Sequence, residues 1–170
     1  MDLSSVEITS SRLILKSFTH LDADEILQCI TPTLTQYMSW DPPQTRQAFD
    51  DVCHAWLMNM KHGTELTCVI RNNANHAFLG LVALHRVQSE CPELGIWIRE
   101  DQHKLGFGFE AVHCLAHWAS HNLNIQQFSY PVAIHNLASR RIAESLGGIA
   151  HHYEKKPKYD SVTYHIPTVA

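Results

Sequence analysis

Apolar residues recur at helical spacing in four stretches of the chain. Between residues 44 and 61, the side chains of Phe49, Val52, Trp56 and Met60 recur at helical spacing, which predicts an amphipathic helix ended by Gly63. Similar stripes predict three more helices, at 21–30, from Phe107 to Asn122 and from Ala138 to Leu146.

The first helix carries a start signal. Thr19 is its predicted N-cap, because a threonine hydroxyl accepts a hydrogen bond from a free N–H of the first turn. Asp22 and Asp24 follow in that turn, where negative charge suits the helix dipole.

β-prone runs alternate with these helices. The predicted strands are 12–16, 65–71, 78–87, 93–99, 128–134 and 162–166. The full predicted order is β α α β β β α β α β β, with no internal repeat and no interdomain linker. Antiparallel strands followed by β-α-β-α units indicate an α/β (α+β) protein with a mixed sheet of about seven strands and four helices. We therefore expect one domain over residues 1–170.

Composition narrows the function classes. A formal net charge of −4 and a pI near 6.3 disfavour a nucleic-acid or anionic-membrane surface, and they suit an amine or a basic peptide. The cysteines are odd in number and widely spaced, which predicts reduced thiols. The chain has no leader-like start and no apolar run of bilayer length, so we expect a soluble cytoplasmic protein.

The thirteen histidines raise the question of a metal site. His113 and His117 are four residues apart on a predicted helix, a spacing that can present two imidazoles on one face. No carboxylate or cysteine supports the pair, and no H-E-x-x-H pattern occurs. We predict no metal.

A glycine-bearing turn carries the first sign of chemistry. The predicted strand 93–99 runs through a polar bend into Gly106, Phe107 and Gly108, where a helix starts. Free N–H groups and the helix dipole make such a start an anion site, and glycines let a bulky anion approach. The Walker pattern and the dinucleotide fingerprint are both absent, so the turn alone indicates a phosphate or pyrophosphate cradle.

Several motifs together make the sequence resemble the GNAT superfamily of acetyl-CoA-dependent N-acetyltransferases. Within it the chain is most similar to the branch with the ribosomal-protein N-terminal alanine and serine acetyltransferases. The matching segments are Ser11–Leu15, Trp40 before a Pro-containing loop, Glu93–Trp97, Gly106–Ala111 and Asn136–Ser139. The resemblance implies the GNAT fold, with a mostly antiparallel sheet and a splayed central strand pair, and acetyl-CoA as cosubstrate.

The resemblance also implies which residues bind acetyl-CoA. The pantetheine arm would contact the backbone of Trp97, Ile98 and Arg99, and Asn136 would hydrogen-bond the arm or only cap its helix. His103 stands where the family has Gln or Arg, and Lys104 stands where glycine is common. The implied pyrophosphate loop consists of His103, Lys104, Leu105, Gly106, Phe107, Gly108 and Phe109.

For catalysis the resemblance points to Ser139 as the acid that protonates the departing thiolate. The family's usual tyrosine position holds Ala143. Ser139 could equally be an ordinary capping hydroxyl. Attack requires a neutral amine, and Glu93 is the best candidate base, acting through water. A backbone N–H near Ile98 would stabilise the developing charge. The fallback bases are His135, His151 and His152.

The acceptor is the least constrained part of the prediction. A protein N-terminal α-amine is preferred, a small amine such as a polyamine, amino acid or aminoglycoside is the alternative, and a non-catalytic acyl-CoA-binding module is a third possibility. Segments 31–48 and 151–162 would select the acceptor, with Tyr37, Trp40 and Tyr153 lining its groove or simply packing locally. We expect a monomer or homodimer.

Overall fold

The computed structural model describes residues 1–170, which form eight strands and five helices. The strands are β1 (Glu7–Thr9), β2 (Leu13–Ser17), β3 (Leu66–Asn72), β4 (Phe78–His85), β5 (Glu93–Ile98), β6 (Gln127–Ala133), β7 (Ile149–Lys155) and β8 (Asp160–Pro167). The helices are α1 (Ala23–Cys29), α2 (Pro32–Thr35), α3 (Arg46–His62), α4 (Phe107–Asn122) and α5 (Leu137–Ser145).

All eight strands form one sheet in the order β1-β2-β3-β4-β5-β6-β8-β7. Every neighbouring pair is antiparallel except β5 and β6, which are parallel and joined by α4. The predicted mixed, mostly antiparallel α/β sheet is confirmed, with one strand and one helix more than expected. The elements without a predicted range are β1, α2 and β7. Of these, β7 was counted in the predicted order, whereas β1 and α2 have three and four residues and are too short to show a periodic pattern.

The predicted helix over 21–30 was wrong in its first turn. Residues 20–22 form a 3-10 turn, and α1 begins only at Ala23. The N–H of Thr19 donates to Oδ2 of Asp22 (3.0 Å), so this pair fixes the tight turn rather than the helix start. In contrast, α3 has nearly the predicted bounds, with Thr45 Oγ1 accepting from the Ala48 N–H at 3.1 Å.

The two faces of the sheet carry different helices. Arg71 of β3 reaches α1 through Glu25 (2.7 Å), and α3 packs on the same strand and on α1. On the other face α4 covers β4 and β5, and α5 lies beside α4. Because side chains alternate between faces along a strand, each sheet residue can be assigned to the α1–α3 face or the α4–α5 face.

The ladder between β5 and β6 is interrupted, which confirms the expected splayed pair. Glu93 and Ser129 are the only register partners, and the Ser129 N–H donates to the Pro92 carbonyl at 2.8 Å. Backbone groups two residues further along β6 face β5 again, but residue 131 is a proline without an N–H. The missing donor leaves the two strands unpaired beyond this point.

We therefore predict that Pro131→Ala extends the ladder. The new N–H would lie where the Leu94 carbonyl can accept it, so its amide should exchange with solvent deuterium at least about tenfold more slowly than an open amide. Mass spectrometry of the peptide spanning 128–134 measures this rate. Pro157→Ala, in the exposed β7–β8 turn, is the control and should exchange quickly. Equal rates at both positions would contradict this explanation of the splay.

Candidate functional site

A row of free backbone N–H groups lies at the open end of the β5–β6 gap. A 3-10 turn over 100–102 follows β5, and α4 then begins after Gly106. None of the N–H groups of residues 104–109 donates a hydrogen bond within the protein. These six donors and the positive end of the α4 dipole are groups that suit an anion such as a pyrophosphate.

The backbone of this loop takes a left-handed conformation twice. Gly106 has φ = +81°, which a glycine adopts freely. Lys104 has φ = +64°, which is strained for a residue with a Cβ and explains why a glycine would be favourable there. The Lys104 side chain is exposed.

Gly108 is favoured by packing rather than by its backbone conformation. A Cβ at this position would lie 3.2 Å from Cδ1 of Ile142 and 3.7 Å from Cγ1 of Ile98. The absence of a side chain therefore lets the first turn of α4 approach both α5 and the end of β5.

Arg12 holds the loop from the edge of β2. Its Nη1 donates to the Leu105 carbonyl (3.0 Å), its Nε pairs with Glu110 Oε2 (2.6 Å), and its guanidinium lies 4.7 Å from the centre of the Phe107 ring. Arg12 lies in one of the matching sequence segments, but this contact was not predicted, because no local pattern signals a contact between residues almost 100 positions apart.

Glu110 completes that anchor. It also accepts from Ser10 Oγ (2.7 Å) and from the Arg12 N–H (3.1 Å). Burial raises the pKa of the Glu110 carboxyl, but the hydrogen bonds from Ser10 and Arg12 outweigh it, so the pKa lies below its ordinary value. The carboxylate form, which these donors need, is therefore favoured.

Only one of the three predicted β5 contacts exposes its backbone to the gap. Arg99 N–H donates to the Leu79 carbonyl of β4 at 2.8 Å, so the groups of Trp97, two residues earlier, also face β4. Those of Ile98 face β6, and the Ile98 carbonyl lies 2.6 Å from Nε2 of His103. Because a carbonyl can only accept, His103 Nε2 carries the proton in this contact.

The other residues of the predicted cosubstrate site differ in the surroundings of their side chains. The Arg99 guanidinium is held by Asp101 through two bonds of 2.6 and 3.0 Å. That hydrogen bonding raises the pKa of Arg99, so the charge is permanent. Leu105 and Phe109 are exposed, whereas Phe107 is buried in the core.

Asn136 and Ser139 meet at the start of α5. Asn136 is the N-cap, and its Oδ1 accepts from the Ser139 N–H at 3.2 Å. The cap leaves the amide NH₂ group of Asn136 available to a ligand. The Ser139 hydroxyl lies 2.6 Å from the buried hydroxyl of Tyr130 on β6, a neighbour that sequence reasoning did not find.

Glu93 lies on the opposite side of the sheet from Ser139. Its register partner across β4 is His85, and it faces α1 and α3, whereas Tyr130 and Ser139 lie on the α4–α5 face. The Glu93 carboxylate pairs with Arg86 at 2.8 Å. Burial, with a further contribution from the Glu93 charge, raises the pKa of Tyr159.

The fallback bases are less well placed. His135 and His152 are exposed, and His151 stacks on His165 with ring centres 3.9 Å apart. Burial, and then the charge of His151, lower the pKa of His165. Across the whole chain no group of three or more His, Cys, Asp or Glu side chains is arranged to hold a metal ion.

The two segments expected to select the acceptor are tied together by Lys158. Its Nζ donates to Asp41 Oδ1 (2.6 Å), the Thr35 carbonyl (2.8 Å) and the Trp40 carbonyl (3.2 Å). The β7–β8 turn is therefore fastened to the loop between α2 and α3. Of the predicted groove aromatics, Tyr37 is half-buried, Trp40 is 38% exposed and Tyr153 is 62% exposed.

Comparison with protein families identifies the chain. Residues 12–149 match the model of the acetyltransferase (GNAT) domain. The protein belongs to the GNAT acetyltransferase family. It is an acetyl-CoA-dependent N-acetyltransferase rather than a non-catalytic binding module, and the anion cradle and splayed strands suit acetyl-CoA as cosubstrate.

Solved structures share the fold of this acetyltransferase at low sequence identity. A putative ribosomal-protein-serine acetyltransferase from Vibrio cholerae is 20% identical, with a TM-score of 0.81 over 96% of this chain and 98% of that one. Spermidine N-acetyltransferase from Vibrio cholerae, solved with CoA and spermine, is 18% identical, with a TM-score of 0.80 over 94% and 97%. RimL, a ribosomal α-N-protein acetyltransferase solved with coenzyme A, is 15% identical, with a TM-score of 0.85 over 97% and 100%.

A comparison of the sequence with curated proteins finds no significant match. The structural neighbours include enzymes named for protein acceptors and enzymes named for a polyamine, so they leave the acceptor of this acetyltransferase open. None of the five helices combines the length and apolar character needed to cross a lipid bilayer.

Gly106→Glu tests the anion cradle. A carboxylate about 4 Å from a phosphate repels it by about 4 kcal/mol near a surface, so acetyl-CoA affinity should fall by at least about 100-fold in calorimetry. Gly147→Glu is the matched control, since Gly147 also has a positive φ (+77°) but follows α5. An unchanged affinity in Gly106→Glu would reject the cradle as the pyrophosphate site.

Lys158→Met tests the link between the acceptor segments. Losing a charge-assisted contact to three oxygens should loosen the groove and raise the acceptor KM about fivefold, with acetyl-CoA affinity unchanged. Lys156→Met is the control, because the Lys156 ammonium pairs only with Glu154, at 3.7 Å. If both variants give the same acceptor KM as the parent enzyme, the link has no role in acceptor binding.

Proposed function

We propose that this acetyltransferase moves the acetyl group of acetyl-CoA to the N-terminal α-amine of a protein. The observation that carries the cosubstrate part is the row of six free N–H groups, 104–109, at the open end of the β5–β6 gap. It offers donors to a pyrophosphate and leaves the gap for an amide-containing arm.

The cosubstrate contacts follow from that arrangement. Residues 103–109 hold the phosphates through backbone N–H groups, with the Lys104 ammonium beside them. Ile98 offers its backbone to the pantetheine arm, while Trp97 and Arg99 shape the strand on either side. The free amide group of Asn136 is the partner from α5. His103 must release or share the Ile98 carbonyl if the arm bonds to that oxygen.

The weakness of the candidate base supports an α-amine acceptor. Glu93 is already paired with Arg86, so it can assist proton loss through water but is a poor base for a strongly basic amine. At pH 7.5, about a third of α-amines are neutral, against about 0.1% of amines with the basicity of a lysine side chain. An α-amine therefore needs little help before it attacks.

The charge of the two acceptor segments also supports a peptide acceptor. Segment 151–162 has three lysines and two acids, and segment 31–48 has one aspartate and one arginine. Two of those charges, Lys158 and Asp41, neutralise each other. A polyamine would need an excess of carboxylates, so the surface suits a peptide better. Tyr37, Trp40 and Tyr153 supply aromatic faces for its first residues.

A CoA-release screen tests the acceptor. Peptides with a free N-terminal Ala or Ser should release CoA, and the same peptides with a blocked N-terminus but an internal Lys should not. Spermidine, free amino acids and an aminoglycoside make up the small-amine set. Faster turnover with a small amine than with every free peptide would contradict the peptide acceptor and identify that amine as the acceptor instead.

Two variants test the catalytic assignments in the same assay. Ser139→Ala should lower kcat by on the order of 100-fold if its hydroxyl protonates the thiolate, and acetyl-CoA affinity should remain similar. Glu93→Gln should lower kcat most at low pH, where fewer α-amines are neutral and the base is needed most. If a variant keeps the turnover of the parent enzyme at every pH, the substituted residue has a structural role and not a catalytic one.

A further inference from the structure

Tyr130 and Ser139 form an isolated pair of hydroxyl groups on the α4–α5 face. Tyr130 is 1% exposed, and its hydroxyl lies 2.6 Å from Ser139 Oγ. Ser139 is the only hydrogen-bond partner of the Tyr130 hydroxyl in the protein. Ser139 itself is half-buried, and the cap from Asn136 fixes its backbone.

The direction of this hydrogen bond follows from what each hydroxyl can reach. If Ser139 donated to Tyr130, the buried Tyr130 O–H would have no acceptor, which costs about 1–3 kcal/mol. If Tyr130 donates, its O–H is satisfied and the Ser139 hydrogen is free to point toward the accessible side of the site. The second arrangement satisfies both groups.

We propose that Tyr130 is a positioning residue that donates to Ser139 Oγ and so directs the Ser139 O–H toward the departing sulfur. This inference rests on the proposed role of Ser139 as the acid. Donation by Tyr130 also polarises the serine hydroxyl, because hydrogen bonds in a chain strengthen one another.

The proton balance assigns separate tasks to the two faces of the sheet. The amine nitrogen forms its bond to the acetyl carbon and loses a proton to water beside Glu93. The carbon–sulfur bond breaks with its electron pair on sulfur, and Ser139 gives that sulfur its hydroxyl proton. Ser139 regains a proton from solvent, which reaches it because the residue is half-buried.

Tyr130 keeps its own proton throughout. Burial raises the pKa of the Tyr130 phenol, and the bond to Ser139 offsets only part of that increase. A phenolate in this position is therefore disfavoured, so Tyr130 orients the serine without relaying a proton.

A double-mutant cycle with Tyr130→Phe, Ser139→Ala and the double variant tests this role. Each is measured with whichever acceptor releases CoA from the parent enzyme. Tyr130→Phe should lower kcat about tenfold, the equivalent of one hydrogen bond, with the KM for acetyl-CoA unchanged. In the Ser139→Ala background the same substitution should have no further effect on kcat.

Two further readouts separate positioning from general damage. Calorimetry should give the same acetyl-CoA affinity for all four proteins, and their guanidinium unfolding midpoints without acetyl-CoA should show non-additive losses. Tyr164→Phe is the matched control, because Tyr164 is the cross-strand partner of Tyr130 but bonds to Arg140 and Glu144. It should keep kcat.

The possible outcomes separate the role of Tyr130 as a positioning residue from the role of Ser139 as the acid. A large loss in Ser139→Ala with none in Tyr130→Phe overturns the role of Tyr130 alone. No loss in Ser139→Ala overturns the acid and, with it, the need for a positioning residue. Equal losses in Tyr130→Phe and Tyr164→Phe, or a further loss in the double variant, would mean that Tyr130 only supports the fold.

Discussion

The missing hydrogen bond between β5 and β6 is the constraint on which the rest of the site depends. Pro131 has no N–H to offer where β6 faces β5, so the parallel ladder stops after Glu93 and Ser129. A buried gap in a sheet is unfavourable unless its polar groups find other partners. Here His103 bonds to the Ile98 carbonyl, which has no partner on β6, and the loop that carries His103 has free N–H groups of its own.

The candidate base and the candidate acid lie on opposite faces of the sheet. Glu93 lies toward α1 and α3, and Ser139 and Tyr130 lie toward α4 and α5. In the proposed reaction the acceptor loses its proton on one side, and the sulfur gains one on the other. This separation needs no strongly perturbed acid or base at either position, which fits an acceptor amine of which about a third is already neutral near pH 7.5.

Single cationic side chains fix the edges of this arrangement. Arg12 ties the start of β2 to the loop over residues 103–109, and Lys158 ties the β7–β8 turn to the loop after α2. Both side chains are between a third and a half exposed, so each ion pair contributes little to stability. Their effect is geometric, because each holds a flexible segment against a rigid element beside the site.

Local sequence patterns determined most of the secondary structure of this protein. Periodicity predicted α3 and most strands nearly to the residue, and the glycine turn with Asn136 and Ser139 predicted where the cosubstrate binds. Short elements such as β1 and the 3-10 turn at residues 20–22 lacked enough repeats to be recognised. Only the tertiary structure joined Arg12 to Glu110, Lys158 to Asp41 and Tyr130 to Ser139. These contacts depend on strand register and helix packing, which bring distant residues together without leaving any pattern along the chain.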